Sequence, residues 1–176
     1  TDVRPYNNLL EGIGDAARHM GCGQADIGIV GMDILSVALF EDLKKALYQC
    51  NFYSADDIVM NLRAAKSPYE IGILIDGAQI ADEVGDLLRA YLRPGLTERQ
   101  VFQFIVGELT KRGVSGAFAT CQSGIRSEMP YDLEPASDKV IENGDMVHME
   151  INGKFQGYMI DVCRSTVVGQ ASPEQI

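Results

Sequence analysis

Between Gly144 and Gly169 the chain reads GDMVHMEINGKFQGYMIDVCRSTVVG: two apolar-rich, β-prone runs, Met146 to Ile151 and Tyr158 to Val168, joined by a short polar link holding Gly153 and Gly157. That pattern is the signature of an antiparallel hairpin. Each run carries one acid, Glu150 in the first and Asp161 in the second, eleven positions apart. A link that turns about Phe155 and Gln156 sets Glu150 directly opposite Asp161. Cross-strand partners have β-carbons roughly 4.5–5.5 Å apart, and like charges so placed are destabilising. A divalent cation held between the carboxylates relieves that repulsion, because hard dications take oxygen ligands in such geometry. The competing turn, at Asn152-Gly153, pairs Glu150 with Phe155 and leaves Asp161 elsewhere; two acids on a solvated face are the commoner arrangement.

The rest of the chain is long enough to carry such a hairpin on a core. Its 176 residues suit one domain or slightly more. Acids outnumber bases 25 to 15, for a formal charge of −10, and such a surface repels phosphate backbones, which argues against nucleic-acid binding. Cys22, Cys50, Cys121 and Cys163 are scattered and form no CxxC pair, so reduced thiols and a cytoplasmic protein are expected rather than a zinc knuckle or a disulfide framework. No apolar run approaches the roughly 20 residues of a membrane span, and no signal-peptide pattern opens the chain.

From Asn7 to Met20 the apolar positions Leu10, Ile13, Ala17 and Met20 recur at helical spacing, and Gly21 and Gly23 stop the run. Asp26 to Gly31 reads as a short buried strand. Leu35, Leu39, Leu43 and Leu47 predict a second helix, and Phe52 to Leu62 a further strand. The α-β-α-β order suggests the tail of a small α/β domain. Ser67, Pro68 and Glu70 make a capping box that starts a long helix reaching about Leu92, with Ile71, Leu74, Ile75, Ala78, Ala81, Leu88 and Tyr91 as its apolar face. Thr97 and Gln100 cap the next helix, with Val101, Phe104, Ile105 and Leu109 as its buried stripe. Ala117 to Gln122 is a strand, and a polar loop leads from it into the hairpin. At the other end, Ser172-Pro173-Glu174-Gln175 announces another helix, as though the chain continued.

Two of these stretches, in order, resemble the creatinase/aminopeptidase P/methionine aminopeptidase family, the pita-bread metallopeptidases. The phrase LRAAKSPYEI, followed by a long helix and RPGLTE, looks like the opening of that family's catalytic domain, and the Gly144–Gly169 stretch looks like its first metal-ligand segment. The resemblance implies an α+β pita-bread fold, with residues 1–62 the end of an α/β N-terminal domain and residues 63–176 the first half of the catalytic domain. It assigns Glu150 and Asp161 to a divalent metal site for Mn, Zn or Co. Glu150 stands where members carry Asp, and Arg164 and Thr166 follow Asp161 as the pattern expects. The remaining ligands, a His and two Glu, come from the second half in that family.

Catalytic members carry a His about eleven or twelve residues before the Gly-Asp that opens the ligand strand, and no His lies between His19 and His148 here. Counting back reaches Asp132, a candidate general acid or base, and Tyr131 is a candidate substrate contact. The resemblance implies a hydrolase of C–N bonds, an Xaa-Pro peptidase acting through metal-activated water and working as a homodimer on a peptide or small amide or amidine. The alternatives are a creatinase-like amidinohydrolase that needs no metal, and a non-catalytic binding module on the same fold. By strand alternation His148 shares the face of Glu150, where a backbone carbonyl is its expected partner. Arg164 takes the opposite face from Asp161 and is expected in a structural salt bridge.

Overall fold

The computed structural model describes residues 5–128 and 136–175. The chain divides into two compact units between Lys66 and Ser67.

In the first unit, helix α1 (Leu9–His19) starts where the Asn8 side chain accepts from the backbone N–H groups of Leu10 and Glu11, which satisfies donors that a helix start leaves orphaned. Strand β1 (Asp26–Ile29), helix α2 (Val37–Ala46), strand β2 (Asn51–Ser54) and helix α3 (Asp56–Ala64) follow. The two strands pair in parallel. The expected strand from Phe52 to Leu62 is therefore mostly helix. Asp56 explains the break: its carboxylate accepts from Ser54 Oγ and from the Gly31 N–H, tying the strand end to the start of α3.

The second unit packs two helices on one antiparallel sheet. Helix α4 (Pro68–Tyr91) carries the full capping box, with Ser67 N–H donating to Glu70 and Glu70 N–H donating to Ser67. Its buried residues are Ile73, Gly77, Ala81, Val84 and Leu88. Ile71, Leu74 and Ile75 are exposed to 46%, 36% and 53%, so the buried stripe is rotated from the one read in the sequence. The first half of this helix is apolar on several sides, and only the partner surface selects the stripe. At Gly77 the hairpin comes so near that an added Cβ would lie 3.3 Å from Ile160 Cγ1.

Helix α5 (Glu98–Lys111) is capped by Thr97 and Gln100 and buries Val101, Ile105 and Leu109 as expected. It stacks against α4 through Tyr91 and Phe104, whose ring centroids are 4.2 Å apart. Strands β3 (Ser115–Ser123), β4 (Met146–Phe155) and β5 (Tyr158–Val167) form the sheet in the order β3-β4-β5. Ala119 and Cys121 of β3, Val147, Met149 and Ile151 of β4, and Ile160 of β5 join the helices in one core.

Phe155 pairs with Tyr158, leaving Gln156 and Gly157 as a two-residue loop with φ of 48° and 90°. Positive φ at both positions is the primed turn that matches strand twist. A turn about Phe155 and Gln156 would have put two bulky residues in that region, so the link turns one residue later than expected. The Asn152-Gly153 turn fails for a different reason. Gly153 lies mid-strand under the β3 start, where a Cβ would stand 2.3 Å from Val114 Cγ1, so its lack of a side chain serves packing.

Candidate metal centre

The one-residue shift of the turn decides which side chains meet. Glu150 is opposite Cys163, and Asp161 is opposite Asn152; the expected direct pairing of Glu150 with Asp161 does not form. Period-two alternation still puts both acids on the same sheet face, as diagonal neighbours. Diagonal pairs lie roughly 7–8 Å apart against about 5 Å for direct partners, which weakens the repulsion and leaves room between the carboxylates.

Three further side chains share this face of the sheet. His148 and Asn152 project from β4 on either side of Glu150, and Cys163 projects from β5. Asn152 lies between the acids: its amide approaches Glu150 Oε2 at 3.4 Å, and with oxygen and nitrogen exchanged it donates to Asp161 Oδ1 at 2.8 Å. His148 Nδ1 is 3.0 Å from Ser165 Oγ, so its partner is a cross-strand hydroxyl and not the expected backbone carbonyl. Cys163 Sγ is 3.9 Å from Glu150 Oε1. Partial desolvation against the sheet, followed by the charges of Glu150 and Asp161, pushes the thiol of the exposed Cys163 above its ordinary pKa. Across β4, the buried Thr120 and Gln122 of β3 pair with Glu150 and His148.

One ligand atom each of His148, Glu150 and Cys163 lies within 4.8 Å of the others. With Asp161 diagonal to Glu150, the face offers oxygen, nitrogen and sulfur donors of the kinds that bind divalent transition metals. The residues therefore fit a metal. Arg164 points to the other face and pairs with Asp82 of α4 at 2.9 Å, so it does not compete for Glu150 or Asp161. Cys163 and Asn152 were not singled out in the sequence, although their parity with Asp161 and Glu150 was the signal that could have found them.

A buried acid organises the loop end of the sheet. Glu98, fully buried at the start of α5, accepts from the N–H and hydroxyl of Ser123 with one oxygen and of Ser137 with the other. Arg126 Nε stands 3.4 Å away. Burial alone pushes a carboxyl's pKa up, but these hydrogen bonds outweigh it and hold Glu98 below the ordinary value. Close by, Lys139 bonds Ser123 Oγ at 3.0 Å and Asp145 at 2.6 Å. Ser123 and Ser137 are thus tied to one carboxylate. Tyr131 and Asp132 lie outside the described residues.

The family described as metallopeptidase family M24 matches residues 73–176. An Xaa-Pro dipeptidase of Pyrococcus horikoshii is 33% identical over 143 residues, covering 80% of this chain and 40% of its own. The uncharacterized peptidase YqhT of Bacillus subtilis is 36% identical over 118 residues, 66% of this chain and 33% of its own. Among solved structures, an Xaa-Pro dipeptidase from Bacillus anthracis superposes with a TM-score of 0.86 at 29% identity, over 98% of this chain and 47% of its own. The chain thus spans about half or less of the length of these relatives.

Proposed function

The chain belongs to metallopeptidase family M24 and has that family's α+β pita-bread fold, and from this premise we propose that it supplies one wall of the active site of an Xaa-Pro peptidase. The observation that carries the reading is the shared sheet face of Glu150 and Asp161, one diagonal step apart on a hairpin whose other face is core. A divalent ion, when bound, supplies the Lewis acidity that amide hydrolysis needs. In this reading Glu150 and Asp161 provide its carboxylate ligands, Asn152 orients Asp161, and the Arg164–Asp82 pair fixes β5 to α4 from behind. Mn, Zn or Co is the candidate ion.

The similarity to Xaa-Pro dipeptidases favours a peptide substrate over an amidine. Asp132 as proton carrier and Tyr131 as substrate contact belong to the same reading, as does a cytoplasmic homodimer in which the unit ending at Lys66 closes an α/β N-terminal domain. The test is Xaa-Pro hydrolysis by the whole protein against its Glu150→Ala and Asp161→Ala variants. A loss of at least about a hundredfold in kcat/KM for both variants is expected, from removal of a metal ligand. Activity that survives either substitution, or exhaustive chelation, would overturn the assignment.

A further inference from the structure

An exposed cysteine facing a carboxylate and an imidazole is out of character for a residue type that is among the most buried. We propose that His148, Glu150 and Cys163 form a three-donor nitrogen, oxygen and sulfur site for a borderline-soft divalent cation, Zn²⁺ or Co²⁺, with the Cys163 sulfur as a direct ligand. The proposal rests on the reading that this sheet face holds a metal, and it changes which side chains do the holding.

The geometry comes close without an ion. Donor atoms of the three residues lie within 4.8 Å of one another, and Cys163 Sγ is 3.9 Å from Glu150 Oε1. Around a tetrahedral ion with bonds of roughly 2.0–2.3 Å, ligand atoms sit about 3.3–3.8 Å apart. Closing the site therefore asks for side-chain movements on the order of 1 Å, with the backbone left as it is. Glu150 and Cys163 are direct cross-strand partners and His148 is two residues along the same strand, so all three stand on a paired sheet rather than on loops, the placement that best preserves a ligand geometry.

The surroundings supply the support such a site needs. Ser165 Oγ on His148 Nδ1 fixes the imidazole orientation, the role that outer partners of a metal-bound His commonly play. Asn152, with its amide oxygen and nitrogen exchanged, donates to Asp161, and the register places Asp161 one step outside the triad, available as a further oxygen donor. A sulfur ligand also decides between metals. Thiolate favours Zn²⁺ and Co²⁺, whereas all-oxygen sites suit Mn²⁺ and Mg²⁺. Binding transfers the thiol proton to solvent, as it does wherever a cysteine ligates.

Co²⁺ is the probe, because sulfur coordination adds a near-ultraviolet charge-transfer band to its visible absorption. Titrating the full chain with CoCl₂ should give both bands, saturating near one equivalent, and Zn²⁺ should displace them while a hundredfold excess of Mn²⁺ does not. Cys163→Ser should lose the charge-transfer band and weaken Co²⁺ at least tenfold, and Asp161→Ala should keep the band. Cys163 is exposed, so circular dichroism and thermal melting of the serine variant should match wild type. Visible absorption without a charge-transfer band, or a band that persists in Cys163→Ser, overturns the proposal but leaves the Glu150–Asp161 reading standing. No Co²⁺ binding by the wild type overturns both.

Discussion

Residues 147 to 151 of β4 alternate between two environments: Val147, Met149 and Ile151 are buried against helices, while His148 and Glu150 are half-buried on the other side. The same backbone and the same hydrogen-bonded register serve both faces. On the core face each side chain is held by apolar neighbours from α4, α5 and β3. On the opposite face the neighbours are an acid, an amide, a thiol and a hydroxyl, and their mutual arrangement carries little folding energy. One face fixes the strand, which leaves the other free to be chosen for chemistry.

The comparison breaks most visibly at Ile151, fully buried at 0% exposure. Ile151→Ala should cost about 3–4 kcal/mol, the transfer term plus the cavity left in a packed core, read as a shift in denaturation midpoint. A loss below about 1 kcal/mol would mean that the core face is not what holds β4.

Glu98 tests a polar element built into the core side of the unit. Glu98→Ala leaves the N–H and hydroxyl groups of Ser123 and Ser137 without their shared acceptor and should cost about 3 kcal/mol. The pH dependence has a definite sign. The folded carboxyl lies below its ordinary value of 4.5, so its contribution is complete above that pH and is lost as pH falls through the depressed folded value. The stability gap between wild type and Glu98→Gln should therefore narrow toward acid in urea titrations; a gap that widens would reverse the sign.

How far the sequence discloses this arrangement depends on whether a feature is local. The capping boxes at Ser67 and Thr97 and the helices they start are legible, because a cap is decided within four residues. The stripe on α4 is not, because its first half is apolar on several sides and the choice of Ile73 and Gly77 over Ile71 and Ile75 is made by Phe155 and Ile160 across the interface. The hairpin is legible, but its register is not. It hinges on Gln156 accepting a φ of 48° so that Gly157 can take 90°, and moving the turn by one residue exchanges Asp161 for Cys163 as the partner of Glu150. The shared face of Glu150 and Asp161 survives because alternation depends on parity alone. Glu98 could not be found, since its partners lie 25 and 39 residues away.

Gly153 probes how tightly the core face is filled. A methyl at this position meets Val114 Cγ1 at 2.3 Å and the Ala117 Cα at 3.3 Å, so either Val114 must leave its rotamer or β3 must move. Gly153→Ala should cost about 2 kcal/mol by overpacking. Double substitution with Val114→Ala, which removes the clashing methyl, should recover more than half of that, as measured by a double-mutant cycle. Independent, additive losses would show that the glycine is needed for its backbone and not for the space.

The smallest effect is the sharpest. Glu150 neighbours Ile151 in sequence but sits on the opposite face, half-buried, with the Asn152 amide at 3.4 Å, Cys163 Sγ at 3.9 Å and Asp161 as a like-charged diagonal neighbour. In metal-free buffer Glu150→Ala should change stability by less than about 0.5 kcal/mol, in the stabilising direction at low salt, with the change shrinking as salt screens the acid pair. Adding a divalent ion should separate the two proteins: a ligand at a hundred times its Kd stabilises the form that binds it by about 2.7 kcal/mol, a gain expected for wild type and absent from Glu150→Ala. If the alanine variant gained equally, the metal would be binding elsewhere. The site face would then be a solvated surface whose acids meet only because the core face across the strand set their parity.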